Sequence, residues 1–216
     1  MPFFQLSEAD TGFPPAHFAD EQGMIAVGGD LSTGRLLNAY RSGIYFWFGP
    51  MDFIKWWSPD PRLILKPADA DAPEQLSGYR PDMEVTFDQH FEPLLRQIQE
   101  AQNTPPMGEN WVTEQMAEAY LSLFEQGYAH SLEVRHGTTW VGGIFGVAIG
   151  KAFFAEYTYS GTEGGGAIAL SLLARQLQGQ GYHFVDVQKP TIDTPDLGFT
   201  EMSRMAYLDL VKAACA

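Results

Sequence analysis

The chain has one cysteine in 216 residues, the penultimate Cys215. No disulfide can form within it, which fits a reducing compartment such as the cytoplasm, and a thiol beside the chain end is not expected to be catalytic. Basic residues are also scarce: 13 Lys and Arg against 27 Asp and Glu give a net charge of −14. Phosphate contacts supply much of the affinity for nucleic acid, so this balance weighs against an extended nucleic-acid surface. It favours solubility and cationic partners instead. No run approaches the roughly 20 apolar residues that span a bilayer, so no membrane partner is expected. The opening MPFFQLSEAD has neither the basic start nor the apolar stretch of a secretion signal. His17, His90, His130, His136 and His183 share no metal-ligand spacing, and no metal site is expected. Repeats and low-complexity tracts are absent as well.

What is there is a chain 45% hydrophobic, enough for one substantial domain or a core domain with a small partner. Up to about residue 62 it is rich in Gly, Pro and aromatics and shows one clear helix. Ser32 caps it, Leu36, Leu37 and Tyr40 recur at helical spacing, and Gly43 stops it. ADADAPEQLSGYRP, residues 68–81, reads as a linker or a short exposed helix. Beyond it the pattern predicts helices over 87–102 and 114–126, then three strands: HSLEVR, TWVGGIFGVAIG and AFFAEYTYS. The Gly-rich SGTEGGG leads into a helix over 167–178, HFVDVQ is a short buried strand, and 203–214 a final helix. Hairpin strands, a Gly-rich turn, a helix and a further strand give an α+β fold with an acetyltransferase-like (GNAT-type) core. Residues 1–62 are expected to form a small N-terminal α/β domain and 63–216 the catalytic domain.

Several strings are too specific for core packing alone. GGDL at 28–31 leads to AYRSGIYFWF at 39–48 and WWSPDPR at 56–62. ENWVT at 109–113, AYLSLFEQGYAHSLEV at 119–134, VGGIFGVAIGKAFFAE at 141–156 and VDVQ at 185–188 follow. In this order and spacing they resemble the leucyl/phenylalanyl-tRNA–protein transferases from Gln5 to about Leu208. WWSPDPR is the most specific piece.

The resemblance implies an aminoacyltransferase that takes Leu or Phe from aminoacyl-tRNA. It joins that residue to the N-terminal amine of a protein beginning with Lys or Arg, marking the protein for degradation. No metal or organic cofactor is needed. The chemistry is aminolysis of an activated ester: the amine loses its proton and attacks the carbonyl. Asp186 and Gln188 match the family's strand-end Asp-x-Gln, thought to orient the attacking amine, with Asp186 binding the cation or removing its proton. Their i, i+2 spacing puts both on one face of a strand. Replacing either is expected to slow turnover and leave the fold intact. Glu156 matches a carboxylate just after the third core strand that draws in the acceptor's positive charge. Trp47 and Trp111 match two aromatics of the substrate cleft, Trp111 stacking on the terminal adenosine. The amino-acid pocket maps to Ile144, Phe153, Leu173, Leu177 and Val185, each equally explained as plain core.

The chain also differs from the family's pattern. Where the family carries a basic helix after WWSPDPR, residues 67–79 hold no basic residue. From Leu63 to Asn110 three basic residues face nine acidic ones. The pocket Met of the family's ESMFS becomes Thr158, its Ser-Lys becomes Gly164-Gly165-Gly166, and TIDTPDLGF replaces His-x-x-Ser-Leu-Gly. Two other readings stay open. One is an acyltransferase of the same fold with an acyl-CoA or carrier-bound donor, whose pyrophosphate the Gly161–Gly166 turn would cradle. The other is a non-catalytic binder of basic N-termini.

Overall fold

The computed structural model describes residues 4–49, 52–102, 112–188 and 197–216. A four-stranded sheet is built from β1 (Phe4–Leu6), β2 (Met24–Gly28), β3 (Tyr45–Phe46) and β4 (Lys55–Trp57), in the order β1-β2-β4-β3. Between β2 and β3 lies α1 (Thr33–Arg41), capped by Ser32, whose hydroxyl accepts from the Arg35 N–H. Gly43, at φ +70°, ends the turn that follows α1 and packs against Tyr207 and Leu208. WWSPDPR then carries the chain from this sheet to a larger one.

That sheet has seven strands: β5 (Arg62–Leu65), β6 (Glu84–Phe87), β7 (Ala129–His136), β8 (Thr139–Ile149), β9 (Ala152–Ser160), β10 (Phe184–Asp186) and β11 (Thr200–Met202). Its order is β11-β5-β10-β9-β8-β7-β6. The α2 helix (Phe91–Gln102) and α3 (Glu114–Glu125) follow β6, α4 (Gly165–Gly179) joins β9 to β10, and α5 (Arg204–Ala214) follows β11. Within this sheet all pairings are antiparallel except β9 with β10. An antiparallel meander followed by a parallel strand–helix–strand unit is the acetyltransferase-like core the sequence predicts.

One expectation is corrected. Helix 87–102 starts only at Phe91, because Phe87 ends β6, which pairs with β7 from Glu84 onward. The linker contains two 3₁₀ turns, Pro67–Asp69 and Pro73–Gln75, each opening on a proline that fixes φ.

One hydrophobic cluster spans both sheets, from Ile25, Tyr40 and Trp56 to Phe145 and Phe154. A second lies between the large sheet and α4 and contains Leu132, Ile144, Phe153, Leu173 and Val185. Glycine sets how closely α4 approaches. A Cβ on Gly165 would overlap the Val141 carbonyl, and one on Gly142 would overlap the Gly165 carbonyl. Both clashes are with backbone, so Gly165→Ala is expected to cost about 3 kcal/mol or more, measured by urea unfolding. A negligible change would mean that α4 can slide on the sheet.

Candidate active site

The parallel pairing of β9 and β10 ends at Phe154 and Asp186. Beyond it the two strands are no longer laddered, and Glu156 and Gln188 face each other across the opening. Glu156 lies inside β9, not after it. Phe145 pairs with Tyr157 and Gly146 with Ala155, so Glu156 is the extra residue of a β-bulge. A bulge re-aims the side chain it carries, and here it brings the carboxylate to donors on three other segments. Tyr40 Oη of α1 donates to Oε1 at 2.9 Å and Tyr120 Oη of α3 to Oε2 at 2.6 Å. Gln188 Nε2 donates to Oε1 at 3.1 Å and approaches the Ala155 carbonyl at 3.5 Å. Burial pushes the Glu156 carboxyl up to about 7, even though all three hydrogen bonds favour its ionised form. Burial also drives the Tyr40 and Tyr120 phenols far up, reinforced by the Glu156 charge, so both remain hydroxyl donors.

Asp186 is placed differently from its expected role. It is 0% exposed, and its oxygens are taken up within the protein. Arg62, at the start of β5 and also buried, donates Nε to Oδ1 at 2.9 Å and Nη2 to Oδ2 at 2.5 Å. Tyr207 Oη of α5 donates to Oδ2 at 2.5 Å, and the Gln188 N–H to Oδ1 at 2.8 Å. Burial opposes the charge on Arg62, but Asp186 beside it more than compensates and the guanidinium stays protonated. Asp186, which the resemblance offers as a group that orients the amine, binds the cation or takes its proton, is held by Arg62 and Tyr207 and shut off from solvent. Glu156 as a residue is partly exposed, while its carboxylate is held by Tyr40, Tyr120 and Gln188.

Gln188 has φ +63°, a left-handed backbone uncommon for a non-glycine residue. An ionised carboxylate only accepts, so the contact with Glu156 fixes Nε2 as the atom facing it. The amide then presents Oε1 on its other side.

The expected pocket residues Ile144, Phe153, Leu173, Leu177 and Val185 all belong to the cluster under α4. Phe153, Leu173 and Leu177 also border a cavity of about 230 Å³, whose rim carries the Asp88–His130 pair at 2.8 Å. Ile144 and Val185 are fully buried. Thr158 lies against the first turn of α4, its methyl close to Gly166. Trp47 is 49% exposed, edge-on to Trp57, and follows Phe46, whose ring stacks on Tyr120. Trp111 lies outside the described residues. The sequence assigned no site role to Arg62, Tyr40, Tyr120 or Tyr207. Their only local signal is that a buried phenol or guanidinium needs a polar partner, which leaves the partner unnamed.

The turn before α4 is not an open anion cradle. The Gly161 and Thr162 N–H groups donate to the Val141 carbonyl, Gly165 N–H to Thr162, Gly166 N–H to Ser160 Oγ and Ile168 N–H to Gly164. Among the described residues no group of three or more His, Cys, Asp and Glu is placed to hold a metal ion, and no helix is long and apolar enough to cross a membrane.

Residues 64–212 match the family pattern described as leucyl/phenylalanyl-tRNA protein transferase, and residues 29–60 that of its N-terminal domain. A leucyl/phenylalanyl-tRNA–protein transferase of Magnetococcus marinus is 39% identical over 226 residues, spanning 100% of this chain and 94% of that protein. One from Xanthomonas axonopodis pv. citri is 40% identical over 225 residues, spanning 100% and 88%. Among solved structures, a GCN5-related N-acetyltransferase from Kribbella flavida aligns with a TM-score of 0.43 and 14% identity, over 79% of this chain and 61% of that one.

Proposed function

Because the chain belongs to the leucyl/phenylalanyl-tRNA–protein transferase family, we propose that the acceptor amine attacks at the Glu156–Gln188 pair. The reaction is transfer of an aminoacyl group from tRNA to a protein. A neutral amine attacks the ester carbon, the C–N bond forms and the C–O bond to the terminal ribose breaks. The amine gives up a proton and the ribose oxygen leaves with one.

The observation that carries the assignment is the environment of Glu156: a partly exposed bulge residue 3.1 Å from the Gln188 amide, its carboxyl raised to about 7 by burial. A carboxyl near neutrality both attracts an ammonium and accepts its proton at working pH. Gln188 Oε1 receives a second amine hydrogen and aims the lone pair. Asp186 touches neither reactant and acts as a positioning residue.

The Leu or Phe side chain of the donor occupies the cavity bordered by Phe153, Leu173 and Leu177, with Ile144 and Val185 in the packing behind it and Thr158 at the α4 end. Trp47, half-exposed beside Trp57, flanks the tRNA terminus. The net charge of −14 and the Glu156 carboxylate favour an acceptor beginning with Lys or Arg. A cytoplasmic setting supplies both substrates.

The test is a transfer assay with leucyl- or phenylalanyl-tRNA and peptides starting with Arg, Lys or Glu, followed by mass. One added residue on the Arg and Lys peptides alone supports the specificity; equal addition to the Glu peptide removes it. Gln188→Ala is expected to lower kcat by about tenfold or more with the melting temperature nearly unchanged. Full activity in that variant would take Gln188 out of the site.

A further inference from the structure

We propose that Arg62 and Tyr207 are positioning residues of the transfer reaction, acting through Asp186 on the backbone of Gln188. The inference rests on Gln188 receiving the amine, as proposed above.

Gln188 stands just past the end of β10 with φ +63°, a conformation that persists in a non-glycine residue only when its surroundings impose it. Two contacts impose it here. Its N–H donates to Asp186 Oδ1 at 2.8 Å, and its carbonyl accepts from the Leu63 N–H at 3.2 Å. The first contact exists only while the carboxylate keeps its rotation, because a turn about the side chain would carry Oδ1 away. Arg62 sets that rotation with a two-point fork, Nε to Oδ1 and Nη2 to Oδ2, and Tyr207 adds a third point at Oδ2. The guanidinium is itself fixed, its central carbon 4.7 Å from the Tyr45 ring centroid and 4.6 Å from that of Tyr207.

Order passes from Tyr207 and Arg62 to Asp186, then to the Gln188 peptide, and from its side chain to Glu156. Fold closure alone does not call for this arrangement. The neighbouring β5 and β10 positions, Ile64, Leu65 and Val185, are buried with apolar side chains, and a buried ion pair is weak evidence of stabilisation. The charged pair sits where the strand gives way to the left-handed residue.

Tyr207→Phe removes one oxygen and keeps the ring against Arg62 and Phe184. It is expected to lower kcat about tenfold, with KM for peptide and aminoacyl-tRNA within about twofold. In a Gln188→Ala background the same change is expected to cost nothing further, since the group it orients is gone. Arg62→Lys keeps the charge but loses the fork, and the same signature is expected, again silent in Gln188→Ala. Unchanged kcat in both variants, or a loss that multiplies in full onto Gln188→Ala, would overturn the positioning role. Full activity in Gln188→Ala with Tyr207→Phe impaired would instead overturn the assignment of Gln188 itself.

Discussion

Glu156→Gln is expected to lower kcat/KM for aminoacyl transfer by about 100-fold or more at pH 8, within the range lost with a general base. The native enzyme should show an acid limb with an apparent pKa near 7, where its carboxyl ionises. The variant should lose that limb and keep only the one set by the peptide's own α-amine, near pH 8. Stability supplies an independent readout. Below about pH 4.5, the usual carboxyl value, native and unfolded chains both hold the Glu156 proton. Between there and about 7 the unfolded chain has released it and the native one has not, so stability falls as pH rises through that window and levels off above it. The contribution is on the order of 3 kcal/mol and is absent from Glu156→Gln. Melting curves from pH 4 to 8 measure it. A variant with native activity and the same pH slope would remove Glu156 from the chemistry.

Asp186→Asn is expected to destabilise the protein by about 3–5 kcal/mol, because Arg62 would keep a buried charge with no counter-ion. For a chain of this size that lowers the melting temperature by on the order of 10 °C. From sequence this change is expected to leave the fold intact; the buried Arg62 partner adds a loss of stability to that expectation. The companion experiment replaces the whole pair. Arg62→Met with Asp186→Leu is expected to regain most of the lost stability, as apolar replacements of buried ion pairs do. Transfer should stay at least about tenfold down, because the Gln188 N–H has lost its acceptor. Denaturant unfolding and the transfer assay, run on the same three proteins, separate the two effects. A double variant both stable and fully active would reduce the pair to a packing device.

The meander and α4 were legible because their signals are local. AFFAEYTYS and TWVGGIFGVAIG are long, β-rich and bounded by Gly137 and Gly150, and the structure places β9 and β8 there. The strands β5, β6 and β11 were not legible. RLIL is four residues buried along its whole length, with no alternation to read, and EVTF leads directly towards a helix. For the site, motif matching named Glu156, Asp186 and Gln188, but not what each touches. The Asp-x-Gln spacing suggested two side chains working side by side. The structure instead turns Asp186 inward to Arg62, 124 residues earlier in the chain, and Gln188 outward to Glu156. A bulge at Glu156 and a left-handed residue at Gln188 decide those directions, and neither has a signature in composition or periodicity.

The hydrogen-bonded set draws on Tyr40, Arg62, Tyr120, Glu156, Asp186, Gln188 and Tyr207, from α1 near one end of the chain to α5 near the other. The set therefore joins segments made at widely separated times in synthesis. A nascent chain that has already built its meander still lacks Tyr207, so the anion at Asp186 and the turn beyond it stay unset. The contact at Asp186 can close only once α5 has been made and has docked, whatever part of the meander has formed by then.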